Sequence, residues 1–275
     1  MSFPITRRPT ARASAVIVTL TVGLVAAGCS DDNEPADASG DAGTAAAYCD
    51  TALVLAADPG PDVDFATASE DDVSVAVRTW AGGTMLPRVG DLEEVVPPQL
   101  EDDLQVFRDA LEHAADTGDG SGFDSPELDA ADAAAHAYDL EHCGWTTAQV
   151  VASDYEFSGL DATYPAGPLD FELANDGPEV HELTVLRIQD GVDATVEELM
   201  SSDDPTDQAK FEMINSTGPV ESGDDEYLVV DLGPGRYVVT CFVPQGATSM
   251  EAMEHTVENA PAHAAIGMVH EFTIG

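Results

Sequence analysis

Basic residues are scarce in this sequence. Its 275 residues include 9 Lys and Arg against 53 Asp and Glu, which gives a formal net charge of −44 at pH 7. Nucleic acids and anionic lipid headgroups are also negatively charged, so such a surface repels both and excludes nucleic acid as a partner. Basic partner proteins and cations remain compatible with it. Solubility in a salty environment explains the acidity equally well, so charge alone indicates no function.

Long apolar segments are absent beyond the N-terminus, which excludes a transmembrane helix in the body of the chain. The N-terminus carries Arg7, Arg8 and Arg12, followed by the apolar stretch 15–27 (AVIVTLTVGLVAA). A positive segment followed by an apolar run too short to span a bilayer comfortably is typical of a secretory signal peptide. We therefore predict a signal peptide over residues 1–28 and a mature protein that lies outside the cytoplasm.

The end of this segment predicts a lipid anchor. Ala26-Ala27-Gly28-Cys29 resembles a bacterial lipobox, in which the Cys thiol carries a diacylglycerol group after cleavage. This resemblance implies a protein anchored to the cell membrane through Cys29 and facing outside the cytoplasm. Ordinary signal cleavage near Ala27, with an incidental Cys29, is the alternative. The cleaved chain keeps 6 of the 9 basic residues, which gives a formal charge of 6 − 53 = −47.

Cysteine is scarce as well, with four in the whole chain. Cys29 is the expected lipid site. Cys49 and Cys143 bracket the N-terminal region, and export to an oxidising compartment favours a disulfide between them. Cys241 is then left unpaired, and metal ligation is a common reason for an unpaired Cys in an exported protein.

The remaining length predicts two domains after a linker. Residues 29–45 are small and acidic and lack an apolar period, so we predict a disordered tether there. Residues 46–145 predict a small α-helical bundle closed by the disulfide, because apolar residues recur at helical spacing. Ser69 and Ser125 are predicted N-caps of two of its helices, and Pro97-Pro98 opens a third.

Three histidines lie in the predicted bundle: His113, His136 and His142. His136 and His142 are six residues apart, which places them on different faces of a helix. We interpret all three as surface or partly buried histidines without a functional role.

From about residue 146 the pattern changes to short apolar or alternating runs between Gly, Pro and Asn turns. This pattern predicts an antiparallel sandwich or barrel over residues 146–275. The predicted strands are 148–157, 169–173, 183–188, 227–232, 236–243 and 268–274. The segment Thr195–Met200 predicts a short helix, followed by a long polar excursion up to Gly223.

Four residues of this half have metal-binding side chains, and each stands beside a predicted strand. His181 follows the turn 175–178 and leads into a strand. Cys241 ends a strand that begins at a Gly-Pro-Gly turn. His263 and Met268, with four residues between them, stand just before the final strand.

These segments resemble the plastocyanin-like cupredoxins, which show an Asn-x-Gly turn before a first His, a Pro-Gly-x-Tyr strand ending in Cys, and then His and Gly-Met. The resemblance implies an all-β antiparallel Greek-key sandwich that holds one copper ion through His181, Cys241, His263 and Met268. Two imidazoles and a thiolate in a trigonal plane, with a long thioether bond, make a type 1 blue-copper site. The resemblance also implies that Asn175 helps to fix the ligand loops.

The gap between Cys241 and His263 departs from the family pattern, because the 21 residues 242–262 replace only a few. This insert contains three further possible ligands, Met250, Met253 and His255. One interpretation is a cap or docking loop that leaves His263 as the ligand. The alternative is that these three residues form a second site, whose softer ligands bind Cu(I), or that His255 replaces His263 as the copper ligand.

Three functions agree with this pattern. The first is one-electron transfer to or from an extracytoplasmic redox partner with a basic docking face. The second is extracytoplasmic copper trafficking or buffering, which the extra Met and His residues favour. The third is a metal-free interaction module with a cupredoxin fold. The sequence shows no nucleophile in a recognisable elbow and no His-x-His motif, so we expect a protein that is not an enzyme.

Overall fold

The structure is a computed structural model, and it describes residues 38–63, 68–202, 204–255 and 260–275. The side chains of residues 38–44, 254 and 255 are outside this description. The predicted signal peptide and Cys29 also lie outside the described residues. In the part of the chain that the structure describes, no helix is long and apolar enough to cross a membrane.

The described residues of the first half form five α-helices. They are α1 (Ala38–Ala56), α2 (Glu70–Trp80), α3 (Leu86–Glu93), α4 (Glu101–Thr117) and α5 (Pro126–His142). Both predicted N-caps are confirmed, since the Ser69 and Ser125 hydroxyls each accept a hydrogen bond at 3.2 Å from the backbone N–H three residues on. Each cap satisfies one of the backbone donors that a helix start leaves free.

The predicted boundary of the disordered tether is wrong at its C-terminal end. Helix α1 begins at Ala38, so residues 38–45 are helical rather than disordered. This stretch is rich in alanine, the strongest helix former, and that propensity outweighs the glycines and the polar residues around it. The rest of the tether lies outside the described residues.

The predicted disulfide is confirmed. Cys49 in α1 bonds to Cys143, which caps α5, with their Cα atoms 5.3 Å apart and a sequence separation of 94. The bridge therefore ties the first helix of the bundle to the last.

The segment 81–93 contains three glycines and a proline, residues that disfavour a helix. The structure shows a π-helical turn (Ala81–Met85) that continues directly into α3. Met85 and Val89 are fully buried in a core with residues of α2 and α4. Burial of these two apolar side chains stabilises the helix and outweighs the low helix propensity of the glycines.

The second half is a two-sheet β-sandwich with nine strands in its described residues. They are β1 (Thr146–Ser153), β2 (Glu156–Ser158), β3 (Thr163–Tyr164), β4 (Gly167–Asn175), β5 (Thr184–Ile188), β6 (Phe211–Ser216), β7 (Asp225–Leu232), β8 (Gly235–Thr240) and β9 (Val269–Ile274). One sheet has the order β2-β1-β4-β7 and the other β3-β9-β8-β5-β6. The predicted sandwich is confirmed, and its core is formed by the inner faces of both sheets.

The prediction that all strands are antiparallel is wrong. Strand β1 pairs with β4 in parallel, and β3 pairs with β9 in parallel, so both sheets are mixed. The chain makes the β1–β2 hairpin, crosses to the other sheet as β3, and returns beside β1 as β4. Alternation of apolar residues shows which face of a strand is buried, but it does not show the direction of the neighbouring strand.

The predicted polar excursion contains secondary structure. The short helix α6 (Val196–Met200) is confirmed, and Thr195 and Glu198 form a capping box at its start. A one-turn helix, α7 (Pro205–Gln208), and strand β6 follow. Strand β6 lies at the edge of its sheet, and most of its side chains are at least partly exposed. Because neither of its faces is fully buried, its sequence does not alternate between apolar and polar residues, and that alternation is the pattern that predicts a strand.

The two halves meet at the outer face of strand β4. Leu169, Phe171 and Leu173 are buried in the sandwich core. The residues between them, Asp170 and Glu172, point to the opposite face, as the period of a strand requires. Helix α5 reaches this face, where its His136 contacts Asp170.

Candidate metal centre

Three segments place metal-binding side chains at one end of the sandwich. His181 lies in the β4–β5 loop, where its backbone forms a two-bond bridge with Val220. Cys241 directly follows strand β8. His263 opens the short 3-10 turn before β9, and its N–H donates to the Val243 carbonyl at 2.9 Å. All three ligand candidates are 0% exposed.

The three ligand atoms converge. The Cys241 sulfur lies 3.3 Å from Nδ1 of His263 and 4.0 Å from Nδ1 of His181. The two Nδ1 atoms are 3.1 Å apart. Around an ion with bonds of about 2.0 Å to nitrogen and 2.3 Å to sulfur, ligand atoms lie about 3.3–3.7 Å from one another. The spacing therefore fits one metal ion at the centre of the triangle.

The protonation of the site also suits a metal. Burial and, to a smaller extent, the neighbouring His263 together lower the pKa of His181 to about 4. Burial likewise lowers the pKa of His263, although Glu179 opposes this effect. Burial raises the pKa of the Cys241 thiol, with a smaller contribution from the charge of Glu182. Both imidazoles are thus neutral ligands, whereas the thiol loses its proton only when a cation replaces it.

The backbone at Glu182 and Gly177 lies close to the side chains of Cys241 and His181. The N–H of Glu182 points at the Cys241 sulfur at 3.4 Å and can donate to it. A Cβ at Gly177 would lie 2.8 Å from Nε2 of His181, so only glycine leaves room for this ring. That Nε2 atom is buried and has no hydrogen-bond partner among the described residues.

Met268 is 0% exposed and belongs to the same core cluster as Cys241. Its N–H donates to the His263 carbonyl at 3.0 Å, and its carbonyl accepts from the Thr240 hydroxyl at 3.3 Å. These bonds hold it between the last loop and the end of β8. All four predicted ligands therefore lie at the same end of the sandwich.

Asn175 makes three hydrogen bonds near His181. Its side-chain amide donates to the carbonyls of Glu179 and Val220, both at 2.8 Å, and its Oδ1 accepts from the N–H of Gly177 at 3.0 Å. The residue is 1% exposed. It thus joins the turn before His181 to the segment that pairs with His181.

Glu179 is the residue that the sequence prediction missed. Its carboxylate lies 3.1 Å from Nε2 of His263, and it accepts hydrogen bonds from the Tyr155 hydroxyl at 2.7 Å and from the N–H of Gly246 at 2.6 Å. Burial raises the pKa of Glu179, but these three hydrogen bonds outweigh that effect and hold the pKa below its usual range. Its position two residues before His181 was the available signal.

The carboxylate of Glu179 fixes the orientation of His263. When Nε2 donates to a carboxylate, Nδ1 is the nitrogen with a free lone pair, and Nδ1 is the atom that faces Cys241. The Tyr155 ring packs on the same imidazole with a centroid distance of 4.8 Å. This imidazole is therefore held on two sides and shielded from water.

The long insert leaves the ligand loop intact because its two ends pair with each other. Pro244 forms a bridge with Ala262, and the N–H of Gln245 donates to the Pro261 carbonyl at 2.9 Å. These contacts bring His263 back beside Cys241 despite the 21 intervening residues. The side chain beside Cys241 is thus that of His263.

The insert contains a short helix, α8 (Met250–His255). Met250 and Met253 are partly buried and pack against the sandwich core. The side chain of His255 lies outside the described residues, so the predicted second site at these three residues stays a prediction.

Comparisons with known proteins give matches only among solved structures. No family model and no curated protein matches the chain. A reduced auracyanin from Roseiflexus castenholzii is 21% identical, with 47% of this chain and 97% of that chain covered and a TM-score of 0.31. Rusticyanin from Thiobacillus ferrooxidans is 18% identical, with 47% and 78% covered and a TM-score of 0.28.

A third match is a purple cupredoxin from Nitrosopumilus maritimus. It is 16% identical, with 46% of this chain and 99% of that chain covered and a TM-score of 0.27. At identities below 25% and TM-scores below 0.5, the function of this chain has to follow from its own side chains. Those side chains provide two buried imidazoles, a buried thiol and a buried thioether at one end of a β-sandwich.

Proposed function

We propose that the chain is a membrane-anchored extracytoplasmic copper protein that transfers one electron at a time through a mononuclear type 1 site. The observation that supports this most strongly is the convergence of Cys241 Sγ, His181 Nδ1 and His263 Nδ1 within 3.1–4.0 Å of one another. Imidazole and sulfur ligands in a trigonal arrangement, with a methionine nearby, are the set that copper electron-transfer sites use.

The bound copper would supply the one-electron couple. The Cys241 thiolate and the Met268 thioether are soft ligands that favour Cu(I), whereas the imidazoles of His181 and His263 also suit Cu(II). Because all four side chains are buried, we expect them to hold nearly the same positions in both oxidation states. A site that changes little on reduction has a low barrier to electron transfer.

The surface around the ligands offers a place for a redox partner. Phe242 directly follows Cys241, and Ile266 lies between His263 and Met268; they are 40% and 38% exposed. Apolar side chains of this kind suit a short-lived contact, and the acidic surface would accelerate the approach of a basic partner protein. We propose an extracytoplasmic redox protein with a basic docking face as the partner, and lipid attachment at Cys29 as the anchor.

The proposed role is that of a carrier and not of an enzyme. Glu179 occupies the outer ring nitrogen of His263, and the Tyr155 ring packs on the same imidazole. Electrons can pass through these side chains, whereas a substrate would need an open coordination position.

Voltammetry of the copper-loaded full chain tests this function. We expect a reversible one-electron wave whose two peaks keep the same potential over repeated cycles. Cys241→Ser should abolish the wave, because the thiolate provides the strongest electronic coupling to the ion. Phe242→Ser is the matched control, since it changes an exposed neighbour and leaves the ligands intact. An irreversible wave, or the same wave in Cys241→Ser, would reject the electron-transfer function.

Copper trafficking is the second candidate, and the partly buried Met250 and Met253 of the insert favour it. Thioethers are soft ligands that bind Cu(I) and exchange it readily. A competition assay with a Cu(I) chelator separates the two functions. Rapid loss of Cu(I), slowed or abolished by Met250→Leu with Met253→Leu, would support trafficking. Cu(I) retained equally by both proteins would support a resident electron-transfer ion.

A further inference from the structure

A second group of metal-binding side chains lies where the helical half meets the sandwich, far in sequence from Cys241. His136 of α5 places Nε2 2.8 Å from one carboxylate oxygen of Asp170 in β4. Glu172, two positions along the same strand, completes the group, and ligand atoms of all three lie within 4.8 Å of one another. Among the described residues, this is one of two such groups, and the other is the candidate copper site.

Asp170 is unusual in its position. It lies on the outer face of β4, where a strand of a sandwich normally exposes its polar residues to water, yet it is 0% exposed and contacts His136 of α5. One of its oxygens contacts His136, and the other has no hydrogen-bond partner among the described residues. A fully buried carboxylate oxygen without a partner is costly, and a bound cation is one of the groups that removes this cost.

The side chains around His136 and Asp170 are predominantly acidic. Asp132 and Asp139 stand near His136 on α5, so four carboxyl groups surround one imidazole. The sequence has no Lys or Arg between Arg108 and Arg187, a stretch that contains α5 and the strands β1 to β4. Helix α1 and strand β7, which pack nearby, contain none either. No basic side chain of these elements is therefore available to balance the buried carboxylate.

The imidazole of His136 is held in place by an aromatic stack. Its ring lies parallel to that of Tyr227, with the centroids 3.6 Å apart and an interplanar angle of 3°. Tyr227 in β7 is the register partner of Glu172 in β4, so the stack also places the ring beside the second carboxylate. A fixed ring, two carboxylates and an adjoining cleft lined by His136 and Glu172 give a prepared site with an entry path.

We propose that His136, Asp170 and Glu172 form a second metal site, for a divalent ion of the Zn²⁺ class, that fastens the helical half to the sandwich. One imidazole and two carboxylates are ligands that Zn²⁺ accepts, with water to complete its coordination. The group contains no sulfur, so it does not favour Cu(I). This site is independent of the copper site and would exist whether or not copper binds at Cys241.

Zn²⁺ titration of the purified full chain by calorimetry tests the proposal, with excess Mg²⁺ present to occupy weak acidic surface sites. His136→Gln and Asp170→Asn are the test variants. His142→Gln is the matched control, because it makes the same change at an exposed histidine at the end of the same helix. Thermal unfolding without metal shows that each variant folds before it is titrated.

We expect His136→Gln and Asp170→Asn each to lose one equivalent of bound Zn²⁺, and His142→Gln to keep it. Zn²⁺ should also raise the melting temperature of the unmodified chain by several degrees more than that of His136→Gln. Crystals soaked in Zn²⁺ should show an anomalous scattering peak between His136 and Asp170. The same Zn²⁺ stoichiometry in His136→Gln and His142→Gln would overturn the proposal and leave a metal-free ion pair between the two halves.

Discussion

Glu179 and His263 form a hydrogen-bonded pair in which the carboxylate lies 3.1 Å from Nε2 of the imidazole, and the opposite ring nitrogen faces Cys241. A carboxylate on the far side of a metal-binding histidine increases the basicity of the ligand and stabilises the more highly charged metal ion. Glu179 therefore connects the β4–β5 loop, the insert and the last ligand loop through a single side chain.

Glu179→Gln should raise the reduction potential of the copper-loaded chain. The glutamine keeps a hydrogen-bond acceptor near His263 but removes the negative charge that favours Cu(II). Coulomb's law at an effective dielectric constant of 20 gives an increase on the order of 100 mV for a charge about 6 Å from the ion. Voltammetry measures the shift. Tyr155→Phe, which removes the hydrogen bond to Glu179 and no charge, should give a much smaller change. A lower potential in Glu179→Gln would contradict this role.

Copper binding should release about one proton for each ion near neutral pH. The histidines are already neutral there, because burial lowers the pKa of His181 to about 4 and also lowers that of His263. Burial raises the pKa of the Cys241 thiol, so its proton leaves only when the ion binds. The affinity should therefore rise about tenfold per pH unit.

Calorimetry of Cu²⁺ binding in buffers with different ionisation enthalpies measures this proton release. The binding enthalpy should depend on the buffer in the unmodified chain and should lose most of that dependence in Cys241→Ser. Binding enthalpies that are independent of the buffer would show that the thiol is not the group that loses a proton.

Cys49→Ser together with Cys143→Ser should destabilise the helical half and leave the copper site intact. The bridge closes a loop with a sequence separation of 94, for which loop-closure entropy gives about 4–5 kcal/mol of the free energy of unfolding. Chemical denaturation followed by tryptophan fluorescence measures the loss. Copper absorbance should persist at denaturant concentrations that unfold the helices, and simultaneous loss of both signals would show a single cooperative unit.

Asp139 should make the chain less stable as the pH rises from about 4 to 7. Burial raises its pKa to about 7, despite the opposing hydrogen bond from Tyr48 and the charge of His136. In this pH range the folded chain holds a proton that the unfolded chain has lost, so the contribution of Asp139 to the free energy of unfolding falls by roughly 2–4 kcal/mol. Asp139→Asn should remove this part of the slope in urea denaturation at pH 5 and pH 8. An unchanged slope would place the pKa of Asp139 near its ordinary value.

The ligand set could be predicted from the sequence because each ligand stands in a local motif. The turn before His181, the strand that ends at Cys241 and the short segment between His263 and Met268 are all readable within a few residues. The disulfide was predictable for a similar reason, since few cysteines leave few pairings. Helix starts at Ser69 and Ser125 followed from their caps.

Features that depend on distant partners were not predictable in this way. His136 was interpreted as a histidine without a role, and its partner Asp170 lies 34 positions away in the other half of the chain. The parallel pairing of β1 with β4 likewise depends on the path of the chain through both sheets. Glu179 stands next to a predicted ligand, but its contact with His263 spans 84 positions.

The most direct test of the copper site is the visible absorption spectrum of the full chain titrated with Cu(II), beside Cys241→Ser. We predict an intense blue or purple band that saturates at one equivalent, because charge transfer from the Cys241 thiolate to Cu(II) gives type 1 sites their colour. The band should be absent in Cys241→Ser. A colourless protein, or a band that persists without the thiol, would contradict the assignment of Cys241, His181 and His263 as ligands of a type 1 copper ion.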